Sequence, residues 1–168
     1  VGSERCMRDR SLLGKRCAFL GAVGDDTEGK HMIDEFKKVG VDTKKISIKK
    51  TFTGFTLTIV DRNGERVIYP NPGANNELQH KDVDIDYLNR AEIVHITSFV
   101  GNTQFNIQKE IVKELKCTIS FSPGNIYVRK GFSELLPIFK KSKIVFLNMM
   151  EVKMLFKEIE KVKKIIKS

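Results

Sequence analysis

The chain has 168 residues, 40% of them apolar and 30% charged, which gives room for one ordinary core in a soluble globular protein. Its longest apolar runs, such as Cys17–Val23, are far too short to cross a bilayer, and residues 1–16, studded with Arg5, Arg8, Arg10, Lys15 and Arg16, lack the apolar heart of a secretory signal. Thirty Lys+Arg against 21 Asp+Glu leave a formal charge of +9. That sign suits an anionic partner, but the lysines fall at element ends and on helical polar faces, without tryptophan or aromatic–basic interleaving, so nucleic acid is not expected.

In chain order, residues 17–23 form a short apolar run closed by glycine, which predicts a buried strand. Asp25 and Asp26 then offer a cap for a helix carrying Met32, Ile33, Phe36 and Val39 on one face, with Gly40 as its stop signal. From Thr51 to Val60, Phe55, Leu57 and Ile59 alternate with threonines, the pattern of a half-exposed strand. Asn63-Gly64 makes a hairpin turn, and Glu65 to Tyr69 returns as the partner strand. After the loop 71–75 the period switches repeatedly between 2 and 3.6. Buried strands are expected at 93–96, 118–121 and 144–147, and helices at 103–116, 135–140 and from Met150 to Ile166. In the last of these Val152, Leu155, Phe156, Ile159, Val162 and Ile166 form the apolar side. Strands alternating with amphipathic helices predict an α/β fold with a mostly parallel sheet, the hairpin being its antiparallel interruption. In such a sheet the chemistry gathers beyond the carboxyl ends of the strands, here near 21–26, 97–103, 122–127 and 148–151.

Several tempting patterns have plainer explanations. Gly24–Lys30 copies the glycine and lysine spacing of a phosphate-binding loop, but His31 stands where a hydroxyl should meet magnesium. Asp25, Asp26 and Glu28 put negative charge where phosphates would lie, so helix capping is the better account. His31 and His80 read as solvated, His95 as a hydrogen-bonded strand residue, and Asp82, Asp84 and Asp86 as helix-start residues. No metal-ligand spacing links the histidines to each other or to the cysteines. Cys6, Cys17 and Cys117 form neither a disulfide framework nor a zinc set; a reducing cytoplasm is expected, with Cys17 and Cys117 as buried strand thiols. Asn148-Met149-Met150-Glu151 carries two readings. The carboxylate of Glu151 suits a hydrated magnesium and Asn148 a phosphate oxygen, whereas the same spacing is that of a capping box, which spacing alone favours.

Taken together, the pieces resemble the ribokinase-type, or PfkB, family of carbohydrate and nucleoside kinases. The matching stretches run in order: Leu13-Gly14, Phe19–Asp26 with Gly29, Gly40–Thr43, Thr53-Gly54, Gly64–Arg66, Gly73–Asn75, Pro123-Gly124 and Asn148-x-x-Glu151. The resemblance implies a ribokinase-like three-layer α/β sandwich with a mostly parallel sheet, truncated here, in which residues 1–168 are one incomplete domain and 51–75 form a hairpin next to a lid. It implies transfer of the γ-phosphoryl group of ATP, with magnesium, to a hydroxyl of a sugar or nucleoside. Gly2, Ser3, Thr53 and Gly54 would then contact the substrate, and Asn148 and Glu151 would lie near the triphosphate, with Glu151 serving its magnesium.

The sequence also departs from that pattern. In the glycine-rich sugar segment only Gly2 and Ser3 fit, with Cys6 in place of the expected amide. Arg8, Asp9 and Arg10 occupy a helix whose packing side should be apolar, where unpaired buried charges would cost several kcal/mol, about what a broken buried pair costs. The family's Gly-Ala-Gly-Asp segment with the catalytic aspartate does not occur among these residues. The expectation is therefore a kinase fragment that is inactive alone, lacking its general base. The alternative is a non-catalytic remnant that binds a metabolite or a partner, a second copy included, through uncovered sheet edges.

Overall fold

A computed structural model describes the backbone of residues 3–166 and the side chains of Met7 and residues 9–157. The elements gather into two units, Val1–Val83 and Asp84–Ser168.

The first unit opens with helix α1 (Ser3–Leu12). Asp9 and Arg10 on it are exposed, so neither charge is buried and the penalty anticipated for them does not arise. Strand β1 (Ala18–Gly24) sinks from an exposed start to a fully buried end, with Ala22 and Val23 in the core. Helix α2 (Thr27–Lys38) follows, capped by Asp26 as its sequence predicts, and Phe36 packs on Phe19 with ring centroids 5.1 Å apart. Gly40 ends it in a left-handed conformation that a side chain would resist (φ 78°). Strand β2 (Asp42–Lys49) lies parallel to β1, Gly21 opposite Ile46 and Val23 opposite Ile48. No strand is predicted there, because Lys44, Lys45 and Lys49 break the apolar run; between them Ile46 and Ser47 are half-buried and Ile48 is exposed.

Strands β3 (Phe55–Val60) and β4 (Arg66–Asn71) form the expected antiparallel hairpin, Leu57 opposite Tyr69 and Ile59 opposite Val67. The Asp61 carboxylate accepts from the amides of Asn63 and Glu65 and fixes the turn, with Gly64 at φ 83°. Phe55, Leu57, Ile59, Val67 and Tyr69 share one face of the ribbon, yet each is more than half exposed, so the half-exposed reading is too modest. Two short 3-10 turns (Gly73–Glu77 and His80–Asp82) complete the unit. The second is pinned by an ion pair of 2.7 Å between Lys49 and Asp82. Burial of Asp82 opposes ionisation, but hydrogen bonds from Lys49 and the Gln79 amide, with the Lys49 charge, outweigh it and hold the carboxyl below its ordinary range.

The second unit begins with α3 (Ile85–Leu88), capped by Asp84. Then come β5 (Ile93–Thr97), α4 (Asn102–Glu114), β6 (Thr118–Ser122), α5 (Gly124–Val128), α6 (Phe132–Lys141), β7 (Ile144–Val145) and α7 (Met149–Ile166). The strands form a parallel sheet in the order β5–β6–β7, His95 opposite Ser120 and Phe121 opposite Val145. The His95 ring hydrogen-bonds Ser120 Oγ at 2.8 Å, as read from its place in a strand. Phe121, Tyr127, Leu135 and Ile138 are fully buried, and each such side chain contributes roughly 1.5–3 kcal/mol through loss of water contact. The Tyr127 hydroxyl donates to Gln108 Oε1 (2.8 Å) and Gln108 Nε2 donates to the Thr97 carbonyl (2.9 Å), so the buried phenol is satisfied through a half-buried amide. Burial pushes the Tyr127 phenol up to about 12.

Four expectations need correction. The strand predicted over 144–147 has two residues, and Ile144, Val145 and Phe146 are exposed, because β7 is the sheet's edge and no described strand pairs with its outer side. Residues 122–127 are not all loop, since α5 starts at Gly124 directly after Pro123. Cys17 and Cys117 each precede a strand by one residue and are half-buried rather than buried. Phe156, placed on the apolar side of α7, is 61% exposed at the rim of a cleft, whereas Leu155 is in the core. Ile159, Val162 and Ile166 have side chains outside the described residues.

Candidate functional site

The residues expected to carry the chemistry fall into two groups, one in each unit. In the first, three stretches of backbone converge at the base of the hairpin. Asp26 Oδ1 accepts from the Gly29 amide (2.8 Å) and the Thr53 hydroxyl (2.6 Å), and Oδ2 accepts from the Thr53 amide (2.6 Å). Thr53 Oγ1 in turn accepts from the Gly24 amide at 2.9 Å. These donors, the Thr53 hydroxyl and amide foremost, hold the Asp26 carboxyl below the ordinary carboxylate range. The segments can approach so closely only because glycines lie between them. A Cβ at Gly24 would come within 2.2 Å of the Thr51 carbonyl oxygen, and one at Gly54 within 2.4 Å of that of Pro72. Thr53 and Gly54 thus stand together where the first hairpin strand leaves the body of the unit. The capping role read for Asp26 is present, but its hold on Thr53 escapes sequence reasoning, since the two are 27 positions apart. A carboxylate with more acceptor sites than one cap uses, and a Thr-Gly before a strand, are the only hints.

In the second unit β7 delivers Asn148 to the start of α7. The Asn148 amide nitrogen and Nδ2 donate to the two carboxylate oxygens of Glu151 (3.1 and 2.8 Å), while the Glu151 amide donates to Asn148 Oδ1 (2.9 Å). This is the reciprocal capping box that the spacing favours. Glu151 is only 6% exposed, whereas Asn148 is exposed. The carboxylate still fits a hydrated cation: each oxygen accepts one hydrogen bond and retains lone-pair capacity for a bound water. It does not make a full ligand set, because among the described residues no three His, Cys, Asp or Glu side chains are grouped to hold a metal directly.

Gly2 lies outside the described residues, and of Ser3 only the backbone, at the start of α1, is described. Asp82 and Asp84 act as turn and helix caps, in keeping with the plain reading of that acidic string. A cleft of about 310 Å³ in the second unit is lined by Phe132, Phe139, Val145, Leu147, Val152, Leu155 and Phe156. Without a polar side chain it offers nothing to orient a sugar or a phosphate. No described helix is long and apolar enough to cross a membrane.

Residues 10–168 match the sequence profile of the pfkB family carbohydrate kinases. A protein of Archaeoglobus fulgidus named as an uncharacterized sugar kinase is 34% identical over 151 residues, covering 88% of this chain and 60% of that protein. An ATP-dependent ribose-1-phosphate kinase of Halopiger xanaduensis is 29% identical, over 70% of this chain and 40% of the relative. Among solved structures, the fructokinase of Xylella fastidiosa with bound ATP superposes with a TM-score of 0.82 over 95% of this chain and 55% of its own, at 18% identity. The adenosine kinase of Anopheles gambiae gives 0.82 over 94% and 52%, at 20% identity. These two likenesses establish a ribokinase-like α/β fold. The chain spans about 40–60% of the length of these relatives. With the profile running through both units and the third-identical relative beside it, the chain belongs to the pfkB family of carbohydrate kinases.

Proposed function

We propose that this chain is part of a kinase that moves the γ-phosphoryl group of ATP to a hydroxyl of a sugar or nucleoside, and that the two units are portions of one PfkB-type domain. The observation that carries the reading is the family match through residues 10–168. On this reading Thr53 and Gly54, with Gly2 and Ser3, face the acceptor, and the hairpin within 51–75 is the edge of a lid that excludes water. Asn148 presents its amide toward the triphosphate and Glu151 its carboxylate toward a hydrated magnesium. When bound, magnesium neutralises phosphate charge. The chain's own part is positional: the capping box locks the Glu151 rotamer, so the carboxylate pays no ordering entropy when a cation arrives. The 168 residues contain no Gly-Ala-Gly-Asp segment and no carboxylate that we assign as the base, so alone they transfer no phosphoryl group. A cytoplasmic location accompanies this reading.

The test is a chimera in which this chain replaces its counterpart in the Archaeoglobus fulgidus relative, assayed with magnesium and ATP against sugars and nucleosides that the parent accepts. Transfer by the chimera, absent from the isolated chain and reduced at least about tenfold by Glu151→Gln, is expected, since Gln keeps the backbone half of the cap but loses the charge. Turnover by the isolated chain overturns its inactivity. A folded but silent chimera beside an active parent overturns the kinase reading. A second reading, a non-catalytic remnant that self-associates as a homodimer or binds a metabolite, draws support from the uncovered apolar hairpin face. Sedimentation as a monomer at all concentrations removes the homodimer.

A further inference from the structure

Most of the hairpin's own surface does nothing to fix its direction. Its twelve strand residues are exposed except Thr56, which is half-buried, and a two-stranded ribbon in water is marginal without support. Its pose is therefore set where its legs enter the unit. The second leg is held through backbone: the Ala74 amide donates to the Phe52 carbonyl at 3.0 Å. The first leg is held by a side chain. Thr53, two residues before β3, donates both its amide and its hydroxyl to Asp26 and receives the Gly24 amide on the same hydroxyl. From these contacts we infer that Asp26 is the positioning residue of the hairpin, a carboxylate that caps α2 with one hand and sets the exit angle of the flap with the other. Charge-assisted hydrogen bonds of this kind are roughly twice as strong as neutral ones, and two of them act on one residue at the hinge. The flap is consequently tied to the N-terminus of α2, and any movement at that helix end is delivered to the hairpin through Thr53. The inference deepens the proposed function and rests on the hairpin being the flap over an acceptor hydroxyl.

Hydrogen exchange on the whole 168-residue chain separates this role from simple capping. Ser at position 26 can cap α2 but is too short to reach Thr53. Asp26→Ser is expected to leave the α2 amides within about twofold of the parent while the Thr53 amide and those of β3 and β4 exchange about tenfold faster or more. Thr53→Val should loosen the hairpin in the same way, and Thr53→Ser, which keeps the hydroxyl, should restore it. Unchanged hairpin protection in both Asp26→Ser and Thr53→Val would overturn the inference. So would equal loosening of α2 and the hairpin, which would make Asp26 a cap and no more. The readout is independent of sugar binding, so its failure is distinguishable from failure of the kinase assay.

Discussion

Strand β6 and the β3–β4 hairpin are written in nearly the same alphabet and live in opposite environments. Thr-Ile-Ser-Phe-Ser at 118–122 has Ile119 and Phe121 at 2% and 0% exposure, whereas Phe-Thr-Leu-Thr-Ile-Val at 55–60 leaves Phe55, Leu57 and Ile59 at 55–58%. The difference lies in the neighbours. β6 has a parallel strand on either edge, with Tyr127 and Phe139 packed by their rings against Phe121. Among the described residues the hairpin strands pair only with each other. An apolar strand thus reports that burial is wanted, and the topology decides whether it is supplied.

Substitutions can break or sharpen that contrast. Phe121→Ala should cost the second unit about 3–5 kcal/mol in denaturant unfolding, while Ile59→Ala in the hairpin should cost less than about 0.5 kcal/mol. Comparable losses would mean that the hairpin is covered in solution. Gly24→Ala, at the hairpin's base, should cost about 1–3 kcal/mol, because the added methyl meets backbone rather than a movable side chain. At the start of α7, Glu151→Ala should cost about 1 kcal/mol through the lost cap, and Glu151→Gln less, because Gln can still accept from the Asn148 backbone amide but turns its NH2 group toward the Asn148 Nδ2 donor, both read from thermal melting. The smallest effect is a pH dependence. Asp26 titrates lower in the folded chain than in the unfolded one, so its contribution is complete above the ordinary aspartate range and fades as pH falls through its folded value. Acid should therefore destabilise the parent more steeply than Asp26→Asn.

Local signals made much of the fold legible. The Asp26 cap, the Gly40 stop, the Asn63-Gly64 turn and the strands at 93 and 118 each depend on neighbours a few positions away, and each is where the pattern puts it. β2 is hidden because only part of it is half-buried, and there Lys45 and Lys49 can lay their stems on apolar surface while their heads reach water. α5 is hidden because Pro123-Gly124 looks like a turn, and the chain does turn there, entering the helix through Gly124 in a left-handed conformation (φ 60°). The candidate site was only partly readable. Asn148 and Glu151 are one helical turn apart, so their pairing follows from spacing. The grip of Asp26 on Thr53 spans 27 positions and exists only once β1, α2 and the hairpin legs have been brought together.

The outer rim of β3 has a practical consequence for anyone handling this protein. From Phe55 to Val60 it carries neither a proline nor a charge, the devices by which exposed strands ordinarily repel copies of themselves. Concentrated or partly unfolded chains should therefore nucleate cross-β fibrils at this six-residue segment, and a single Thr58→Lys gatekeeper should keep the solution clear and free of thioflavin signal.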